Sequence, residues 1–482
     1  METNAVREKT SFAQIISILG VIIMGSFVTL LNQTLISTAL PRIMTEFSIT
    51  ATQGQWLTTA YMLINGIMIP ITAYLADRFT TRQLFLFAMT VFSAGTLTAA
   101  TANVYNLLII GRMIQAVGAG IILPLQMIVI LYMFPIEKRG TAMGLVGLAM
   151  NFAPAIGPTF SGWVVQNFRW NMLFYFILPF AVLDVIVAFF VLKNVGETSK
   201  PKLDIASVLY STLGFGGMLF GLSNSSSNPF FSISVAFPLL IGIISLILLV
   251  TRSSHLKEPL LNFSIFKYRD YRLNLIITLV LLAGMYGSII LLPIYFQTIR
   301  GLTPMQSGMA LLPGSLVVAT MSPITGRMFD KIGAKKLAIT GLILVTIGTT
   351  MIGLVSLETP LWKIVSLQIV RSLGFSLTLM PLQTAAFNAV PLHLASHASA
   401  LFNTLRQLAG SLGIALFVVI MAVVSESSFT STNVQKLADL AGFKAVFIIV
   451  GLFSLAALLL AFLMKNKTNK TDIKHKNKEL NR

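Results

Sequence analysis

The chain contains no cysteine, so it holds no disulfide, no thiolate nucleophile and no thiolate-ligated metal. Charge is also scarce: 10% of residues are Asp, Glu, Lys or Arg, against about 25% in a soluble domain. Acids are the scarcer sign, 16 against 34 Lys and Arg. Few carboxylates leave few candidates for proton chemistry. The four histidines, His255, His393, His397 and His475, fall in predicted loops or the tail. His393 and His397 have i, i+4 spacing, but no third ligand stands nearby, so no metal is expected. No Gly-rich loop ending in lysine is present to cradle a nucleotide phosphate. An enzyme, a cofactor and ATP-driven transport are therefore not expected. No polar segment is long enough to form a separate soluble domain.

Hydrophobic sequence fills the space instead. It makes up 55% of residues, and the mean hydropathy is +0.84. Fourteen apolar runs recur, from residues 12–36 to residues 442–464, each near the roughly 20 residues that cross a bilayer as a helix. The first run is too long for a signal-peptide core and lacks a small-residue cleavage site, so it is read as a retained helix. The expected fold is an all-α polytopic membrane protein with the lipid bilayer as its surroundings.

The net charge of +18 could suggest nucleic acid, but its distribution argues otherwise. With the N-terminus inside, inside loops and tails carry roughly 25 Lys and Arg, and outside loops about six. That bias places both termini in the cytoplasm, and no nucleic-acid partner is expected. The tail Lys465–Arg482 reads as a solvated basic run that orients the chain and meets anionic lipid.

Two distant loops repeat one text. The first is Ala73-Tyr74-Leu75-Ala76-Asp77-Arg78-Phe79-Thr80-Thr81-Arg82. The second is Gly326-Arg327-Met328-Phe329-Asp330-Lys331-Ile332-Gly333-Ala334-Lys335-Lys336. Each puts an acid before a base between two apolar runs. Arg112 lies in the fourth span and Arg371 in the twelfth, 35 residues after Asp77 and 41 after Asp330. A duplicated unit of membrane helices usually means a transporter. The expected division is a six-helix bundle at 1–192, two inserted helices at 193–251 and a cytoplasmic linker at 252–271. A second six-helix bundle at 272–464 and a basic tail at 465–482 complete it. Asp77, Arg78, Arg82, Asp330 and Lys331 are candidates for a cytoplasmic gate in which acid, base and helix end hold two helices together. The alternative is a plain orientation signal with solvated charges.

Charges inside apolar spans are expensive and should face a cavity or a partner. Arg112, Arg371 and Asp184 in the sixth span are the candidates; Arg406 is near enough to a helix end to snorkel. Asp184 is the candidate proton carrier, with Arg112 as a cation that could sit beside it. The alternatives are a structural acid at Asp184, or a rim acid such as Asp77 as carrier. Asn32, Gln33, Gln115, Gln126 and Asn151 are mid-span polar candidates for substrate contact, together with Arg371. In the fifth span, Gly140, Gly144 and Gly147 make a small-residue face, and Pro154 and Pro158 interrupt the backbone ladder.

Several stretches carry a family resemblance. The repeated loops are similar to the signature loop of the major facilitator superfamily. Gly111-Arg112-Met113-Ile114-Gln115-Ala116-Val117-Gly118 resembles its fourth-helix arginine element. Gly157-Pro158-Thr159-Phe160-Ser161-Gly162, preceded by Pro154, resembles the fifth-helix element associated with antiporters. Phe168-Arg169-Trp170, and Leu292-Pro293-Ile294-Tyr295-Phe296-Gln297 with Leu312-Pro313-Gly314, look like the fourteen-helix drug:proton antiporters. The resemblance implies a 6 + 2 + 6 major facilitator fold and a monomer in a bacterial plasma membrane. It also implies export of amphipathic small molecules in exchange for protons. The family usually has an aspartate at the place of Asn32, so the coupling acid would have to be another residue. A narrow exporter of one metabolite or antibiotic, an uptake symporter and a receptor that moves nothing are the competing expectations.

Overall fold

The computed structural model describes residues 12–195, 198–199, 201–225, 228–229, 231–432 and 434–465. Most of the basic tail, with His475, lies outside the described residues. No strand occurs among them. Among the described residues, fourteen helices are long and apolar enough to cross a membrane, as the hydropathy pattern predicts. They are α1 Phe12–Phe47, α2 Ala51–Arg78, α3 Thr81–Ala100, α4 Tyr105–Met133, α5 Arg139–Asn167, α6 Met172–Val191 and α7 Ile205–Asn224. The series continues with α8 Ile233–His255, α9 Arg269–Ile294, α10 Pro304–Ile332, α11 Ala334–Ile352, α12 Leu361–Asn388, α13 Ala395–Thr432 and α14 Gln435–Phe462. A π turn, Tyr295–Ile299, follows α9.

Local chemistry sets the boundaries. Thr50, Thr80 and Thr303 each begin a helix with a capping box closed by Gln53, Gln83 and Gln306, and Pro304 opens α10. Gly333, at φ 80°, makes the turn from α10 into α11, a backbone position that a Cβ disfavours. Pro154 and Pro158 do not break α5, which is continuous through both.

The chain forms two compact units. The first comprises residues 1–135, 149–265 and 390–419; the second comprises 136–148, 266–389 and 420–482. Neither is a simple run of sequence. The first turns of α5 belong to the second unit, and the first turns of α13 belong to the first. In the first unit, α1, α3, α4 and α6 enclose a core that includes Ile22, Phe85, Phe92, Ile122 and Phe174. The inserted helices α7 and α8 pack on each other and, through α7, on α2. In the second unit, α9, α11, α12 and α14 meet around Ile277, Leu281, Leu342, Phe375 and Ala457.

Candidate functional site

Arg112 is fully buried on α4, and its partners are all neutral. Its Nε donates to the Leu57 carbonyl at 3.4 Å, and Nη1 donates to the Asn32 carbonyl at 3.4 Å and to Gln115 Oε1 at 3.0 Å. The guanidinium lies 4.2 Å from the centre of the Tyr61 ring, an arrangement that disperses the charge without a carboxylate. Gln115 in turn donates to Thr96 at 2.9 Å and to Asn32 Oδ1 at 3.4 Å. Helices α1, α2, α3 and α4 thus meet in one buried polar network. Three predicted residues, Asn32, Gln115 and Arg112, come together in it. Arg112 Nη2 has no hydrogen-bond partner among the described residues.

Asp184 is not part of this network. It faces α1 and α3: a Cβ built on Gly25 would meet its Oδ2 at 2.9 Å, Phe85 at 3.0 Å and Met89 at 3.3 Å. Its Oδ2 has no hydrogen-bond partner among the described residues. The expected pairing with Arg112 is therefore corrected. Arg112 meets α1 at Asn32, whereas Asp184 meets it at Gly25, about two helical turns away along the same side of that helix.

The remaining polar candidates divide. Gln126 is buried and accepts from Ser26 at 2.9 Å, leaving its Nε2 without a partner among the described residues. Gln33 and Asn151 are half-buried. Arg371 belongs to the second unit. There it donates to Ser288 at 2.6 Å and lies over Phe375 and Phe447.

The repeated loops differ from expectation in a specific way. Their acids sit in the last turns of α2 and α10, one turn before the break, and leave capping of the following helix to Thr80 and Gly333. Freed from that duty, each reaches the start of a helix from the opposite half of the sequence. In the second unit, Asp330 accepts from the Gly140 amide at 2.9 Å, the Thr141 amide at 2.8 Å and the Thr141 hydroxyl at 2.5 Å. This carboxylate satisfies the orphan donors and positive end of α5. In the first unit, Asp77 meets His397 Nε2 at 3.6 Å, in the first turn of α13. The sequence reading of His397 as a loop residue is corrected accordingly. Nothing in the spacing marks this contact, because its partners are 320 residues apart in the chain.

The neighbouring bases do other work. Arg78 donates to the Pro201 carbonyl at 3.2 Å, and Arg82 donates to the Phe189 carbonyl at 2.6 Å while stacking over its ring. Both fasten the end of α6 and its connector to the first loop. Lys331 lies beside Asp330 in the last turn of α10. Beyond the connector, Asp204 caps α7 and receives a fork of hydrogen bonds from Arg252 of α8, at 2.6 and 2.8 Å. That fork, with the bond from Ser207, holds the Asp204 carboxyl well below the usual carboxylate range.

Along α5, the glycine face makes close contacts. A Cβ on Gly140 would lie 2.6 Å from the Gly326 carbonyl, and one on Gly144 would lie 2.6 Å from the Ser322 carbonyl of α10. In its second half, Gly157 abuts Thr34, and Ser161 donates to the Leu35 carbonyl at 2.6 Å. Pro154 and Pro158 are exposed, and Gly162 has open space around it.

Known proteins resemble the chain in sequence and in fold. The chain is 46% identical over 448 residues to "Uncharacterized MFS-type transporter YcnB" of Bacillus subtilis (strain 168), covering 93% of this chain and 94% of that one. It is 38% identical over 454 residues to "Lincomycin resistance protein LmrB" of the same strain, covering 92% and 94%. The solved structure of the human organic anion transporter MFSD10 has the same fold, with a TM-score of 0.67 at 14% identity, over 93% of this chain and 99% of that one. The family model for the Major Facilitator Superfamily matches residues 22–414, a stretch that includes both signature loops, the arginine element and the α5 glycines. With fourteen spanning helices and both signature loops in place, the chain belongs to the major facilitator superfamily of membrane transporters.

Proposed function

We propose that this transporter exports amphipathic drugs or antibiotics from the cytoplasm in exchange for protons, by alternating access. The observation that carries the reading is Asp184, the one acid among the described residues that is buried, at 3% exposure. A carboxylate held in an apolar setting is costly unless a proton or a partner neutralises it. No partner among the described residues reaches its Oδ2, so a proton is the simplest neutraliser. A conformational change that exposes Asp184 to one side and then the other would load and discharge that proton. The 38% identity to a protein named for lincomycin resistance supports export as the direction.

In this reading Arg112 holds Asn32 and Gln115 in a fixed network, and Asn32, Gln33, Gln115, Gln126, Asn151 and Arg371 supply polar contacts to substrate. Asp77, Arg78, Arg82, Asp330 and Lys331 form the cytoplasmic gate. Pro154, Gly157, Pro158 and Gly162 shape the α5 packing that favours exchange over leak. The protein acts as a monomer in a bacterial plasma membrane, with both termini in the cytoplasm, as the loop charges require.

Purified protein in proteoliposomes with an imposed pH gradient tests this. Ethidium should move against its own gradient, and a protonophore should abolish the movement. Gradient-independent movement would remove proton coupling; uptake in the opposite sense would make the protein a symporter. A relative named for a single antibiotic favours a second reading, a narrow exporter. Competition among unrelated amphipathic compounds separates the two.

A further inference from the structure

The two repeated latches are chemically unequal. Asp330 is held by two backbone amides and a hydroxyl. Those donors do not change charge at any physiological pH. Asp77 is held by an imidazole, the one side chain whose ordinary charge change falls between about pH 5 and 8. The His397 side chain is 12% exposed and that of Asp77 is 29% exposed. The two therefore meet in partial shelter, where an ion pair is screened less than on an open surface.

They also meet at a cavity of about 220 Å³. The groups that face His397 there come from four elements. Tyr74 lies on α2 beside Asp77; Lys202 and Asp204 lie on the α6–α7 connector; Lys257 and Glu258 follow α8; His393 precedes α13. Asp204 is occupied by Arg252, and Glu258 accepts from the Lys202 amide at 3.4 Å. Asp77 is the acid left for His397. The Ser396 hydroxyl is the other side-chain donor to that carboxylate, and it cannot replace a charge.

We propose that His397 is a gating residue of the transport cycle: protonated, it fastens Asp77 at the end of α2 to the start of α13, and on losing its proton it lets go. The imidazolium gives up one ring proton to water in the cavity, and the ion pair is lost because only the carboxylate remains charged. The sign follows directly. The latch is made at acidic pH, where the imidazole is cationic, and weakens as pH rises and the imidazole becomes neutral. The amides and the hydroxyl that hold Asp330 do not titrate, so the two repeats should answer to pH unequally. The inference rests on the gate proposed for these loops and not on which compound is carried.

The chain has no cysteine, so a single Leu394→Cys substitution reports on this cavity without a mutated background. Leu394 lines the cavity and is 6% exposed. Its labelling by N-ethylmaleimide is measured in nanodiscs from pH 5.5 to 8.5. Each rate is divided by that of the same chain unfolded in detergent at the same pH, which cancels the thiol's own titration. The normalised rate should rise at least threefold across this range with His397 present and stay flat in His397→Gln. In His397→Arg it should remain low at every pH. Asp77→Asn, made as a second variant, should also abolish the rise. A flat profile with His397 present, or an equal rise in His397→Gln, would overturn the proposal. No substrate is used, so a failed ethidium assay and a failed latch are separate results.

Discussion

Asp184 and Arg112 show how a buried charge is placed by what surrounds it. Each lies in an apolar span, and sequence distance gives no guide to which neighbour it meets. Arg112 finds carbonyls, an amide oxygen and an aromatic face; Asp184 lies against Gly25, and its Oδ2 finds no hydrogen-bond partner among the described residues. That both would be buried was legible, because a charge among apolar residues on a spanning helix has few alternatives. Their separation was not, because it depends on the level along α1 at which each neighbouring side chain meets it. The acid supports a direct prediction. Asp184→Asn keeps the shape of the side chain and removes its proton. Drug movement driven by a pH gradient should fall at least tenfold, while exchange of labelled for unlabelled drug at equal pH should persist. Undiminished proton-driven transport in the variant would sink Asp184 as the carrier.

At the scale of the element, α5 carries the most information. Its glycines looked alike in the sequence, yet they face different things. Gly157 abuts Thr34 of α1, whereas Gly162 faces nothing within 4 Å. Gly157→Ala must turn the Thr34 side chain aside or shift α1 and should cost about 1–3 kcal/mol, the usual scale of overpacking. Gly162→Ala meets no obstacle and should be neutral or stabilise by up to about 1 kcal/mol, the helix preference of Ala over Gly. Melting of the two variants in detergent checks this, and equal losses would show that the motif acts through something other than packing. The inserted pair offers a second prediction. Asp204 has a depressed folded pKa, so its contribution is present above the unfolded carboxylate value of about 3.9 and is lost as pH falls through the folded one. The melting difference between wild type and Asp204→Ala should therefore be constant from pH 8 to pH 5 and shrink below about pH 4. A difference that already fades between pH 7 and 5 would show that the Arg252 fork does not hold in solution.

Across the whole molecule, duplication is what made the fold readable: fourteen spans, two loops and two intramembrane arginines declare two copies. Duplication also conceals, because copies drift. The acid is preserved in both loops, but the group that receives it is a helix N-terminus in one copy and a histidine in the other. The loop text cannot reveal this, since the receiving residues belong to the opposite sequence half. Equal acids with unequal partners should respond differently to pH. Asp330→Asn removes a charge from the start of α5 and leaves one amide oxygen where two carboxylate oxygens accepted. Losing a charge-assisted hydrogen bond of this kind costs about 1.5–3 kcal/mol, and amides do not titrate, so the drop in melting temperature should be the same at pH 6 and pH 8. Asp77→Asn should lower the melting temperature more at pH 6, where a larger share of His397 is charged and loses its partner, than at pH 8. The comparison needs only four melting curves beside the two of wild type. If both variants show the same dependence on pH, the two latches work alike and the asymmetry between the copies has no consequence for the gate. If only Asp77→Asn responds, one half of a duplicated transporter has become sensitive to protons through a single residue in its partner helix.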